Sequence, residues 1–479
     1  MQSFHQGAHP GRSSVVFLPM IDLDPGNMSC IFSTLHYICA QAKSFSVTPV
    51  ITFDQPLFWK ALLIIESEQS WSALKKIVLR LGGLHTEMSF LGCVGHLMAG
   101  SGLEQILEVV YAENAVKHIL SGKAIARAVR GHLMVHAALN AYNIPQPTVP
   151  YDTEDIAPEY DDTVHTETCA ASESSTVSHQ SLLKAGELFE GIMTDPHVAI
   201  AWDLSREESI RSVAETLNAE RDSMTAQLWL QYMNMIEILR KFIKAERVGD
   251  WMLHLQAIEE MLPYFAAAGH NLYAKSVYIY LQMMLELSET HPDIHKCFLE
   301  GLHVVRRSNR YWAGLSMDLI IEQVLMRSLK TSGGLTRGRG FTDVQRLVWL
   351  LSIPACTDIN QCMQELTGVN SDSSEQHKEC SQSRIKRDNE DTYKVLNTLS
   401  SLNPFGPDPF LRGLVTGLTA NESVNVDNAK LVGQKILDSM VGKTITDISF
   451  QRNKQAVTLV ANAAITVNNE WTHNSFSRD

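Results

Sequence analysis

From Ile144 to Gln180 the chain reads as a segment that cannot build a core. Pro145, Pro147, Pro150 and Pro158 interrupt it, Ser172 to Ser178 follow, and Asp152, Glu154, Asp155, Glu159, Asp161, Asp162, Glu167 and Glu173 occur with no Lys or Arg among them. Such a composition buries too little apolar area to offset the entropy of ordering the backbone. Whatever folds must therefore lie on either side of it. A second polar segment runs from Asn370 to Asp391, so the chain parses into a first unit at 1–143, an acidic linker at 144–180, a main unit at 181–369, a polar linker at 370–391 and a tail at 392–479.

Much of the formal net charge of −13 sits in the first linker, which leaves the folding segments nearer neutral and keeps nucleic-acid binding open. The 45% apolar content is enough for real cores. No apolar run approaches the roughly 18 residues of a membrane span, and Met1 to Ser14 lacks the layout of a signal peptide. The expectation is an intracellular protein, nuclear or cytoplasmic, with no membrane partner. Eight scattered cysteines without CxxC spacing argue for reduced thiols and against a zinc module.

Within the first unit, Ser14 to Leu23 and Val47 to Asp54 read as strands and Ser29 to Ala42 as a helix capped by Ser29. A helix follows from Pro56 to about Glu66, then a strand over Lys76 to Leu81, then a Gly82-Gly83 turn into a long helix from His85. Alternating strands and helices predict an α/β layer with parallel neighbours. From Ser181 to about Leu287 apolar residues such as Leu228, Tyr232, Met235, Ile236 and Leu239 recur at helical spacing, which predicts an α-helical domain. The tail reads as one helix, Asp427 to Val441, and strand-like runs at Thr446 to Ser449 and Val457 to Val467. The fold class is thus α-rich α/β.

Asp54 ends a predicted strand, where a carboxylate faces the crevice in which α/β proteins bind ligands, or simply closes a turn. Asp318 and Glu322, at i and i+4, share one side of an otherwise apolar helix and call for a metal or for basic partners such as Arg327. His85 and His96 lie on one glycine-rich pattern, as site residues or as hydrogen-bonded core histidines. Lys123, Arg127 and Arg130 fall at i, i+4 and i+7 on a helix opened by Ser121, and Arg337 and Arg339 ride on a glycine loop. Such cations track phosphates or merely solvate a face. Gly249-Asp250-Trp251 reads as a helix cap with a buried indole.

Several long blocks carry a resemblance: TPVITFDQPLFWKA, VLRLGGLHTEMSFLGCVGHLMAGSGLEQILEVVYAENAVKHILSGKAIARAVRGHL, GDWMLHLQAIEEMLPYFAAAGHNLYAKSVYIYLQMM and SMDLIIEQVLMRSLKTSGGLTRGRG. From Gly7 to about Asn468 the chain resembles a large family of multi-copy, mobile-element-like (transposase-like) proteins of cnidarians, molluscs and fish. The resemblance implies a partial RNase H-like α/β layer, a large α-helical domain and a small C-terminal α+β tail. It also implies a metal-dependent DNA nuclease or strand transferase, with Asp54, Glu322 and His85 as the catalytic candidates. Asp54, Glu322 and Asp318 would hold Mg2+ or Mn2+, and Lys123, Arg127, Arg130, Arg337 and Arg339 would make weak, sequence-tolerant contacts with DNA. Beside longer relatives the chain looks shortened at both ends and without their upstream acidic block, so the expectation is a catalytically incomplete member. The alternatives are a non-catalytic nucleic-acid- or protein-binding derivative, and a helical interaction protein unrelated to nucleic acid.

Overall fold

The computed structural model describes Gly11, Ser13, residues 26–143, 223–306 and 312–322, a few single positions between 342 and 355, and residues 382–420 and 426–440. The chain divides into two compact units. One comprises Met1–Gln6 and Asn140–Ala219, of which only residues 140–143 are described; the other comprises Gly7–Leu139 and Glu220–Asp479. The first predicted segment and the central helices, separated in sequence by the acidic stretch, therefore share the second unit.

That unit begins with helix α1 (Met28–Ser44), whose N-cap is Asn27 rather than the expected Ser29: the Asn27 side chain accepts from the Ser29 amide. Strand β1 (Val50–Phe53) leads through α2 (Gln55–Ser67) to β2 (Val78–Leu81). The two strands pair in parallel, Val50 opposite Val78 and Phe53 opposite Leu81. The predicted alternation is present here, although the predicted strand at Ser14 to Leu23 lies outside the described residues. Lys76 belongs to a 3-10 turn, Ala73–Lys76, started by the Ser72 hydroxyl, so the second strand begins later than its β-branched run suggested.

Helices α3 (Gly83–Leu97), α4 (Leu103–Glu108), α5 (Glu113–Leu120) and α6 (Ile125–Asn143) follow. The central part is helical as expected: α7 (Met224–Val248), α8 (Trp251–Ala267), α9 (Asn271–Leu285), α10 (Leu287–Thr290) and α11 (Pro292–Leu299). Its core holds Trp229, Tyr232, Phe242, Trp251, Tyr264 and Phe265, each essentially without exposed surface. Each fully buried large apolar side chain of this kind contributes about 1.5–3 kcal/mol. Gly249 closes α7 in the left-handed region (φ 83°), Asp250 caps α8 by accepting from the Leu253 amide, and the Trp251 indole is buried.

A short antiparallel pair, β3 (Val305–Arg306) with β4 (Gly314–Leu315), brings the chain back to the strands, and α12 (Met317–Ile320) follows at once. Helix α13 (Gln382–Leu402) runs through the predicted boundary between polar linker and tail, burying Val395 and Leu399. Helix α14 (Val426–Asp438) packs along α8, where Gly433 lies against the Pro263 carbonyl. The tail strands expected at Thr446 to Ser449 and Val457 to Val467 lie outside the described residues. The described part of the protein is helix-dominated with two small sheets, and no helix in it is long and apolar enough to cross a membrane.

Candidate functional site

At the carboxyl ends of β1 and β2 the chain turns into α2 and α3, and both turns supply site residues. Asp54 is the N-cap of α2, its Oδ1 accepting from the Leu57 amide at 3.2 Å. Helix α3 has only Gly82 at its N-cap and so no side chain of its own to satisfy its first amides. Asp318, more than two hundred residues further on, supplies one. Its Oδ1 accepts from the Leu84 amide at 3.1 Å, and its Oδ2 from the His85 amide at 3.1 Å and the His85 ring Nδ1 at 3.0 Å. The negative carboxylate also meets the positive end of the α3 dipole.

Two glycines make this approach possible. A Cβ on Gly82 would overlap the Asp318 carboxylate, and one on Gly83 would lie 2.7 Å from Ser316 Oγ. Asp318 is buried, whereas the His85 side chain keeps 33% exposure, so the ring has an edge toward solvent. The hydrogen bond to Asp318 raises the His85 pKa above its ordinary value, partial burial pulls it down, and the charges of Asp318, Asp54 and Glu322 raise it further. One imidazole therefore answers to three carboxylates from two distant places in the sequence. Tyr273, near the start of α9, faces the same charges: burial first, then Asp318 and Asp54, push its hydroxyl well up, so it stays protonated. The His85 imidazole, by contrast, can hold a proton and return it to a bound oxygen.

Beneath lies a second, buried grouping. Glu246 on α7 has Oε2 accepting from Ser316 Oγ at 2.6 Å, and its Oε1 lies 2.8 Å from His254 Nδ1. His254 Nε2 meets the Tyr280 hydroxyl at 3.0 Å. Arg80 on β2 donates to the His303 carbonyl and lies over the rings of Trp251 and Phe298. Burial opposes the charge on Glu246, but His254, His303 and Arg80 outweigh it and hold the carboxyl at about 2. Burial, with Arg80 beside it, pushes His303 down to about 3, so this imidazole is neutral. Glu87, one turn into α3, retains some exposed surface yet is packed round by protein. Burial pushes it up to about 8 against the pull of Arg247, and Glu246 and Asp318 add to the rise.

Of the residues singled out from sequence, Asp54, His85, Asp318 and Glu322 thus bear on one imidazole. Asp318 and Glu322 do not share one side of a regular α-helix as expected, since α12 ends at Ile320 and Glu322 sits in a wider turn. Arg327 lies outside the described residues. Among the cations, Lys123 and Arg127 are exposed, but α6 begins at Ile125, Ser121 closes α5 instead of opening a helix, and Lys123 stands in the turn between them. Arg130 is a correction to the expected stripe: it donates to Asp388 at 2.6 Å, Asp391 at 2.7 Å and the Tyr111 hydroxyl at 2.8 Å, so it ties α13 to α6 and is not free for phosphate. Arg337 and Arg339 lie outside the described residues.

The carboxylates meet the expected Mg2+ or Mn2+ poorly in this arrangement. Asp318 already spends three of about four acceptor positions on α3 and His85. Asp54 gives Oδ1 to its own helix. Among the described residues no group of three or more His, Cys, Asp or Glu side chains is arranged to hold a metal ion.

Sequence reasoning passed over Glu246, His254 and Ser316. A signal existed for the first: Glu246 continues the buried stripe of Leu239 and Phe242, where a charge requires a partner. Nothing local marks Ser316 or the capping role of Asp318.

A family model described as a domain of unknown function, DUF8702, matches residues 1–475, and the chain belongs to that family. No curated protein and no solved structure matches it.

Proposed function

We propose that this chain carries the later part of an RNase H-like transposase core and does not cut or join DNA as written, contacting DNA only weakly and without sequence preference. The observation that carries the reading is the meeting of acids at one end of the parallel pair. Asp54 follows β1, and the helix bearing Asp318 returns to the same end after the described helices α4 to α11, so that Asp54, Asp318 and Glu322 all act on His85. A nuclease core of this class needs that order of strand acid, helical insertion and helix acid, because two metal ions must be clamped from both sides of the reacting phosphate. The bonds that Asp318 makes to α3 and His85 are the reason for reading the site as silent. The likeness to RNase H-like enzymes is one of arrangement, and function rests on the site.

Lys123 and Arg127 are the exposed cations that support the DNA contact. Fluorescence anisotropy with duplex DNA across a salt series tests it. Expected is weak binding that falls steeply with salt and is lost when Lys123→Glu and Arg127→Glu are combined. No binding at the lowest salt would remove the DNA reading and leave a helical interaction protein.

A further inference from the structure

The Asp318 carboxylate reaches α3 only if the first turn of α12 is held in place, and the contacts that hold it converge on one buried residue. We propose that Glu246 is a positioning residue: through Ser316 it fixes the start of α12 and so sets the Asp318 carboxylate against the His85 ring.

Ser316 stands at the N-cap of α12, where a serine ordinarily turns its hydroxyl onto its own helix, yet it caps no amide there. The hydroxyl instead donates to Glu246 Oε2 at 2.6 Å. The backbone is pressed together at the same point. A Cβ on Gly83 would lie 3.1 Å from Glu246 Oε2, and one on Gly314 would overlap the Glu246 carbonyl and come within 2.9 Å of that of Arg247. The end of α7, strand β4 and the first residue of α3 thus share one joint, and Asp318 lies two residues beyond it.

Glu246 is itself held from several elements. His254 on α8 lies against Oε1 and is held in turn by Tyr280 on α9, while the charge of Arg80 comes from the strand that runs into Gly82. Keeping a carboxylate buried carries a desolvation penalty that an apolar contact would not incur. What a carboxylate offers here is a directional acceptor for Ser316. The groups that face His85 are Asp318 from α12, Asp54 from the cap of α2 and Glu322 from the turn after α12. Among the described residues Asp318 is the one that hydrogen-bonds the ring, so a shift of α12 acts first on that bond.

The test follows the His85 imidazole by NMR through a pH titration in the wild-type chain, Asp318→Asn, Ser316→Ala and Ser316→Thr, with amide exchange at Leu84 and His85 recorded on the same samples. Asp318→Asn should bring the His85 midpoint down toward the ordinary 6.5. Ser316→Ala removes no atom in contact with His85, yet should move the midpoint the same way and speed exchange at both amides; Ser316→Thr, which keeps the hydroxyl, should restore both. A folded Ser316→Ala chain with wild-type midpoint and wild-type exchange would overturn the proposal. Should that variant not fold, the wild-type chain decides by native-state exchange in rising denaturant. The Leu84, His85 and Leu315 amides should open together, and separate opening of the α3 amides from Leu315 would overturn it equally. None of these readouts depends on DNA binding or cleavage.

Discussion

The half-exposed cluster around His85 and the buried network around Glu246 use the same chemical groups and come to opposite electrostatic states. Around His85, one imidazole faces three carboxylates near solvent, and its tendency to hold a proton rises. Around Glu246, one carboxylate faces Arg80 and two imidazoles in the interior, the carboxyl is held at about 2, and burial keeps His303 neutral. The ratio of acids to bases and the access of water decide which partner carries the adaptable proton. The interior arrangement is closed to water, whereas the His85 ring keeps an exposed edge.

Removing the inner carboxylate should have the largest effect. Glu246→Ala strips a buried pair of one partner and is expected to cost about 3–5 kcal/mol in urea denaturation. His85→Ala should cost about 1 kcal/mol or less, since its ion pair is partly solvated. The two should also differ in pH dependence. His85 titrates above its ordinary 6.5 in the folded chain, so its contribution is fully present below 6.5 and is lost as pH rises through the folded midpoint. Glu246 is depressed, so its contribution is present above 4.5 and is lost as pH falls toward about 2. Equal costs for the two variants, or the same pH trend, would break the contrast.

Next in size is Arg130, which separates paired from free cations. Arg130→Ala leaves Asp388 and Asp391 without their guanidinium and should cost about 2 kcal/mol. Arg127→Ala, at an exposed position, should stay within about 0.5 kcal/mol. A further contrast concerns Glu87, whose rise the charges of both groupings share. Its carboxyl is raised from 4.5 to about 8, so the folded chain disfavours the charge and loses stability as pH rises through that interval. Glu87→Gln should therefore change little below pH 4.5 and stabilise the chain above pH 8. Destabilisation there would mean that the contact with Arg247 outweighs burial.

Much of the architecture was legible because it is written in local spacing. The parallel pair with its crossover helix, the helical centre and the cap at Asp250 all follow from periodicity, proline and capping residues close by. Asp54 takes the turn-closing role, capping α2, and its charge also raises His85. What spacing could not reveal is long-range satisfaction of backbone groups. Helix α3 opens on Gly82 and Gly83, and nothing nearby says that Asp318 will serve as its cap. Arg130 looked like a member of a cationic stripe because its partners, Asp388 and Asp391, lie in a segment that composition marked as linker. Glu246 was overlooked because helical patterning counts apolar positions and passes over the one charge among them.

The account turns most directly on whether the outer acids form a working metal site, and a nicking and strand-transfer assay with Mg2+ or Mn2+ on the purified chain addresses that. With Asp318 committed to α3 and to His85, neither metal should be clamped from both sides, and no product should form. Turnover by this chain that disappears in Asp54→Ala would contradict the account.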